Sequence, residues 1–193
     1  MFLKIACLAI FALLSTQSSI AQKWTVLASG NDLITSNAST SSRIAVVKAG
    51  SEFIPYLLFT DGSRGINSIV EVRKRLADGT WQKVGGNLGG TGSSYGDIYS
   101  DGNDNLYVSY LDFTSGPADR MAVRKYNAAN NTWEPLNKDP ANLYVSATSA
   151  LGATHSDIKG MSKGPIAFDS NNNPYIAFSE GGIDYVKKIL QSH

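Results

Sequence analysis

The chain of 193 residues has a single cysteine, Cys7, and two histidines, His155 and His193. Cys7 lies in an apolar run near the N-terminus, so everything after it is without cysteine. Disulfide staples are thereby excluded, and stability has to come from a packed core. Charged residues make up 17% of the chain and the formal net charge is +1. A balance so close to neutral argues against duplex nucleic acid or an anionic membrane as a partner. No apolar run reaches the ~20 residues that a spanning helix needs, so membrane insertion is not expected. Nucleotide-binding signals are also missing: Gly89-Gly90-Thr91-Gly92 is not followed by the Lys-Ser/Thr of a phosphate loop and reads as a flexible loop.

The N-terminal apolar run, Ile5 to Leu14, follows Lys4 and precedes Ser19-Ile20-Ala21. A basic start, a short apolar stretch and small residues at −3 and −1 read as a secretory signal peptide cleaved after Ala21. Lys4 stands where a lipoprotein signal wants Leu, so Cys7 is not read as a lipid anchor. Residues 22–193 are expected to be secreted or displayed on the cell surface.

What the chain does have is a phrase written three times. It reads Tyr56-Leu57-Leu58-Phe59-Thr60-Asp61, then Tyr107-Val108-Ser109-Tyr110-Leu111-Asp112, then Tyr175-Ile176-Ala177-Phe178-Ser179-Glu180. Two copies carry a matching second half, Val72-Arg73-Lys74 with Trp81 and Val123-Arg124-Lys125 with Trp133. Tyr56 to Tyr107 is 51 residues, Val72 to Val123 is 51, and Trp81 to Trp133 is 52. A period near ~50 residues marks a repeat architecture.

Alternation within each copy predicts strands a to d joined by short turns. In the second copy these are Gly96 to Ser100, Leu106 to Asp112, Met121 to Asn127 and Thr132 to Leu136. In the first they are Arg43 to Lys48, Phe53 to Thr60, Ile69 to Leu76 and Trp81 to Val84. The third has Pro165 to Asp169, Pro174 to Ser179 and Ile183 to Ile189, then ends before a strand-d tryptophan. Residues 22–28 hold an orphan strand d, with Trp24 aligned to Trp81 and Trp133. The expected fold class is all-β: propeller-like repeats of four-stranded antiparallel blades over about 42–86, 95–138 and 164–193, forming an incomplete ring. The orphan first strand and the absent last one are complementary, since pairing them would remove exposed sheet edges. Three blades fall short of the ~4–8 of a propeller. The chain therefore reads as a fragment of a longer protein, with assembly with another chain as the alternative. Open sheet edges predict self-association.

The pattern D-x-N-x-x-[PL]-Y-φ-x-[YF]-x-[DE], then V-x-[KR]-K and W-x-x-[VL], resembles repeats of secreted β-propeller proteins of Bacteroidetes-type bacteria, in the Kelch and galactose-oxidase-like class. The resemblance covers roughly Trp24 to Lys188. It implies an exported surface protein. Kelch repeats usually carry Gly-Gly after strand b, whereas here Gly85-Gly86 follows strand d and Gly181-Gly182 follows strand b. Asp78-Gly79-Thr80-Trp81 also resembles the Asp-box of sialidase-like propellers, shorter by one residue. No arginine triad accompanies it, so it reads as a c–d turn.

Candidate site residues follow from position in the repeat. Asp61, Asp112 and Glu180 end strand b in each copy, so symmetry would gather them on one face. Carboxylates in that arrangement suit a cation such as calcium or sugar hydroxyls; each also reads as a cap of the turn leaving strand b. The a–b turns Asp101 to Asn105 and Asp169 to Asn173 fail the calcium-loop pattern and read as hairpin turns. Trp24, Trp81 and Trp133 are expected to pack between sheets, with Tyr56, Tyr107 and Tyr175 in the core. Tyr95, Phe113 and Tyr144 sit in or near loops and are the aromatics placed to stack on a sugar ring. The d–a connections are long, and 137–164 spans 28 residues, more than the ~12–15 of a plain loop. His155 and Asp157 within it make neither a triad nor a metal site. These features point to a non-enzymatic binding or adhesion module for a glycan or surface protein, without a required cofactor. Two alternatives stay open: a piece of a propeller hydrolase or lyase, which would need a facing pair of carboxylates, and a structural spacer in a larger surface protein.

Overall fold

A computed structural model describes residues 39–62, 68–89, 92–114, 120–136, 143–146, 164–180 and 183–189. The described residues form three antiparallel sheets and no α-helix. The first sheet runs β1 (Ser39–Ala49), β2 (Glu52–Asp61), β3 (Ile69–Arg75), β4 (Trp81–Lys83). The second runs β5 (Ser93–Ser100), β6 (Leu106–Asp112), β7 (Arg120–Asn127), β8 (Thr132–Pro135). The third holds β9 (Ile166–Phe168), β10 (Pro174–Glu180) and β11 (Ile183–Lys188). Each sheet is a meander in chain order, and none closes on itself. The orphan strand expected over 22–28, the signal peptide expected over 1–21 and most of 137–164 lie outside the described residues.

The repeat is reproduced in register. Tyr56 pairs with Lys74, Tyr107 with Lys125 and Tyr175 with Lys188. On the other flank Tyr56 pairs with Ala45, Tyr107 with Tyr99 and Tyr175 with Ala167. Because side chains alternate faces along a strand, a fixed register sends equivalent residues of every copy to equivalent faces.

The sheets stack in chain order around two cores. One joins the first and second sheets through Leu58, Val70, Val72 and Val84 against Ile98, Leu106, Val108 and Tyr110. The other joins the second and third through Tyr107, Leu111, Met121 and Val123 against Ile166, Ile176 and Phe178. β6 is the central strand of the middle layer, and all seven of its residues are buried. Full burial of each such aliphatic side chain contributes about 1.5–3 kcal/mol relative to exposure. Close approach is built in at Gly96, where a Cβ would fall 2.8 Å from a Leu58 methyl and 2.9 Å from a Val70 methyl.

The a–b turns carry more order than a hairpin needs. In the second sheet, the N–H groups of Asn103 and Asn105 both donate to Asp101 Oδ1 at 2.9 Å, and Tyr107 OH donates to Oδ2 at 3.0 Å. The third sheet repeats this around Asp169: Asn171 and Asn173 N–H donate at 2.9 Å, and Tyr175 OH at 3.4 Å. The turns also link neighbouring sheets. Asp104 Oδ1 accepts the N–H of Lys48 at 2.9 Å, and the equivalent Asn172 Oδ1 accepts that of Gly102 at 3.2 Å. Asp104 and Asn172 both have left-handed backbones, with φ of 61° and 58°. The first sheet makes a shorter turn at Gly50-Ser51 and has no such aspartate.

Strands β1 and β5 begin earlier than the alternation implies, at Ser39 and Ser93 rather than Arg43 and Gly96. Both contain a bulge, between Thr40 and Arg43 and between Ser94 and Asp97, which breaks the period-2 pattern at that point.

Candidate functional site

In a meander, the b–c and d–a connections leave one end of a sheet and the a–b and c–d turns the other. All six candidate residues fall at the first end. Asp61, Asp112 and Glu180 sit at the outer b–c pairs, opposite Ile69, Arg120 and Ile183. Tyr95 lies in the bulge of β5. Phe113 follows β6, and its N–H donates to the Gly92 carbonyl at 3.0 Å. Tyr144 forms an isolated bridge with Ala122.

Side chains converge around the second copy. Asp112 is 4% exposed and accepts the Thr114 N–H at 2.9 Å and the Thr114 hydroxyl. It therefore caps its own turn. Its other oxygen accepts the Tyr144 hydroxyl at 3.2 Å. The Arg120 guanidinium lies over the Tyr144 ring, 5.5 Å from its centroid. Arg124 donates to the Leu143 carbonyl at 3.4 Å. Burial pushes the Tyr110 hydroxyl above its ordinary range, against the pull of Arg124 and with a further push from Asp112. Phe113 is half-buried and packs on the core between the second and third sheets. Asp112 and Tyr144 are thus joined directly. Asp61, Glu180 and Tyr95 occupy the same end of the protein on other strands.

Two serines at this end were not singled out from sequence. Ser93 Oγ accepts the Val70 N–H at 2.8 Å, and Ser146 Oγ accepts the Met121 N–H at 2.9 Å. Val70 and Met121 are equivalent, so buried serines satisfy the same strand-c donor in two copies. Arg120 and Thr114 were also missed. They flank the b–c connection, where alternation is lost and only a polar loop is legible.

The tryptophans divide. Trp133 does pack between sheets: its Nε1–H donates to the Val84 carbonyl at 3.0 Å. Trp81 is half-buried, and Trp24 lies outside the described residues. Tyr56 and Tyr107 are buried, while Tyr175 is half-buried with Lys188 over its ring.

Among the described residues there is no group of three or more His, Cys, Asp or Glu side chains arranged to hold a metal ion. Nor, among them, is any helix long and apolar enough to cross a membrane. The fold defines an all-β protein of three repeated, stacked antiparallel sheets. No family model matches the chain, and no curated protein matches it.

Proposed function

We propose that the chain is an exported, non-enzymatic binding or adhesion module, and that its sheets are successive blades of a β-propeller. Its ligand is a glycan or a surface protein, engaged at the b–c end. The observation that carries this reading is the gathering of Asp61, Asp112, Glu180, Tyr95, Phe113 and Tyr144 at one end of three stacked sheets. Loops on a rigid scaffold are where binding groups concentrate. Beside the buried Asp112, the half-buried Arg120 and Tyr144 bring guanidinium and aromatic surfaces together, which suits hydroxyl-rich or polar ligands. The repeated Tyr-φ-x-[YF]-x-[DE] phrase supports the propeller assignment and its likeness to secreted Kelch-class repeats. Export rests on the signal-like segment ending at Ala21, and calcium at the row of acids remains part of the same proposal.

The test is a screen of the purified chain, with and without calcium, against an array of polysaccharides and extracellular-matrix proteins. Binding is expected to fall at least about tenfold in Tyr144→Ala and Arg120→Ala, which remove aromatic and charged contacts. Asn103→Ala, at the opposite end, is expected to bind normally. Equal loss in all three variants, or no ligand on the array, would overturn the reading.

A further inference from the structure

Strand β11 ends the third sheet with an edge that is covered in the other two. The register that pairs Tyr175 with Lys188 makes Val186 the counterpart of Val72 and Val123. Those two valines are 0% and 2% exposed. Their carbonyls accept N–H groups from the chain beyond strand c, Val84 at 2.9 Å and Leu136 at 3.5 Å. Val186 is instead 74% exposed, and Ile183 on the same strand is 59% exposed. Asp184 and Lys188 are exposed as well, and among the described residues no strand pairs beyond β11. Ile189 N–H donates inward to the Pro174 carbonyl at 2.8 Å. By the alternation of an antiparallel ladder, residues 183, 185 and 187 then bond to β10. Asp184, Val186 and Lys188 therefore aim their N–H and C=O groups at the open edge. Such edges are ordinarily kept short, as β4 and β8 are at three and four residues, or guarded by lysines. β11 has six residues, and its lysines are drawn back over their own sheet. Lys187 Nζ donates to the Val145 carbonyl at 2.7 Å, and Lys188 lies over the Tyr175 ring.

We propose that this edge pairs with β11 of a second copy of the chain, antiparallel about a two-fold axis through Val186. Such pairing is self-complementary, so every off-axis contact occurs twice. It sets Val186 against its symmetry mate, each Asp184 against the partner's Lys188, and each Ile183 against the partner's Ile189. Opposed residues must share a face for the sheet to continue. Asp184, Val186 and Lys188 do share one, and they are also the residues whose backbone groups point outward, so ladder and side chains agree. The register reproduces what the covered edges have. Apolar Val84 and Leu136 stand beside Val72 and Val123, and Glu134 opposes Lys125, the counterpart of Lys188. Opposite charges facing across strands favour pairing and like charges oppose it. An axis through Tyr185 would instead set Asp184 against Val186 and Ile183 against Lys187. That register loses both the charge match and the apolar match.

Charge reversal in the full chain tests this, with mass followed by analytical ultracentrifugation. Wild type is expected to form a dimer that dissociates on dilution. Asp184→Lys puts two lysines at each charged contact, and Lys188→Asp puts two aspartates there. Each variant alone is expected to raise the dimer dissociation constant at least about tenfold. An equimolar mixture of the two opposes lysine to aspartate at both contacts and is expected to restore the wild-type value, a rescue that misfolding would not permit. Val186→Cys in a Cys7→Ser background reads the register. Cα atoms of a hydrogen-bonded antiparallel pair stand about 5.5 Å apart, within reach of a disulfide, so mild oxidation is expected to link the dimer. Ser170→Cys, in the exposed a–b turn of the same sheet, is expected to stay unlinked. A wild type that remains monomeric at every attainable concentration would overturn the proposal. So would a dimer indifferent to both reversals, a mixture no tighter than its components, or oxidation that links Ser170→Cys as readily as Val186→Cys.

Discussion

Trp133 lies against Gly85 so closely that a Cβ on Gly85 would sit 2.5 Å from its ring. The same short segment is held from both sides. Trp133 donates to the Val84 carbonyl, and Asn131 Oδ1 accepts the Gly85 N–H at 2.9 Å. Gly85 has a φ of +65°, a left-handed backbone that only glycine adopts cheaply. Gly85→Ala is therefore expected to destabilise the chain by about 2–4 kcal/mol, combining backbone strain with overlap. Trp133→Phe keeps most of the packing and loses one hydrogen bond, about 1 kcal/mol. Urea unfolding of both variants checks the ranking, and an Ala variant as stable as wild type contradicts it.

Asp101 organises a turn and anchors a core tyrosine together. It receives two backbone N–H groups, the Asn105 amide at 2.8 Å and the Tyr107 hydroxyl. Asp101 itself is 8% exposed and Tyr107 is fully buried. Asp101→Ala is expected to cost about 2–4 kcal/mol, since several hydrogen bonds are lost near buried groups. Tyr107→Phe, which removes only the hydroxyl, is expected to cost about 1 kcal/mol. Thermal unfolding followed by circular dichroism gives both values; equal costs would mean that the turn bonds contribute nothing.

Much of this fold is legible in the sequence because strands b and c alternate cleanly. β6 spans the residues that alternation marks, Leu106 to Asp112, and β3, β7 and β10 differ from their expected bounds by a residue at one end. The fold class was readable at the level of repeated antiparallel sheets. Where pairing depends on tertiary contacts, the signal fails. The polar starts of β1 and β5 carry bulges and lack alternation, and Leu88 and Val145 rejoin strand c only after an interruption in strand d. At the candidate site, the recurrence of Asp61, Asp112 and Glu180 was visible as spacing. The bond from Tyr144 to Asp112 was not, because 32 residues separate them and no local pattern encodes the return.

The bond from Lys48 N–H to Asp104 ties the first two sheets at their turn end, and Asp104 holds a φ of 61° to make it. Asparagine keeps both the acceptor and tolerance of that backbone, whereas alanine keeps neither. Asp104→Asn is expected to be within about 0.5 kcal/mol of wild type and Asp104→Ala to lose about 1–2 kcal/mol. Asp104→Gly separates the two causes, since it restores the backbone freedom without the acceptor. Its stability should fall between the other two, and a glycine variant below alanine would show that strain is not part of the effect.

Acid stability should report on the third sheet through Asp169. Hydrogen bonds from the Asn173 side chain and backbone, then from Asn171, with Lys188 nearby, outweigh desolvation and hold its carboxyl at about 2, below the ordinary 3.8. A carboxyl whose folded pKa is depressed stabilises the fold above its unfolded pKa, and that contribution is lost as pH falls through the folded value. The window for Asp169 therefore runs from about pH 4 down to about pH 2. Asp169→Asn cannot titrate, so its stability curve is expected to be flatter than wild type across that window and lower than wild type at neutral pH. Lys188 is 41% exposed and 3.7 Å from the carboxylate, so this ion pair is screened by solvent. Lys188→Ala should then leave most of the acid slope in place. Chemical unfolding at pH 2, 3, 4 and 7 measures the slopes, and a Lys188→Ala curve as flat as that of Asp169→Asn would assign the effect to the ion pair rather than to the turn.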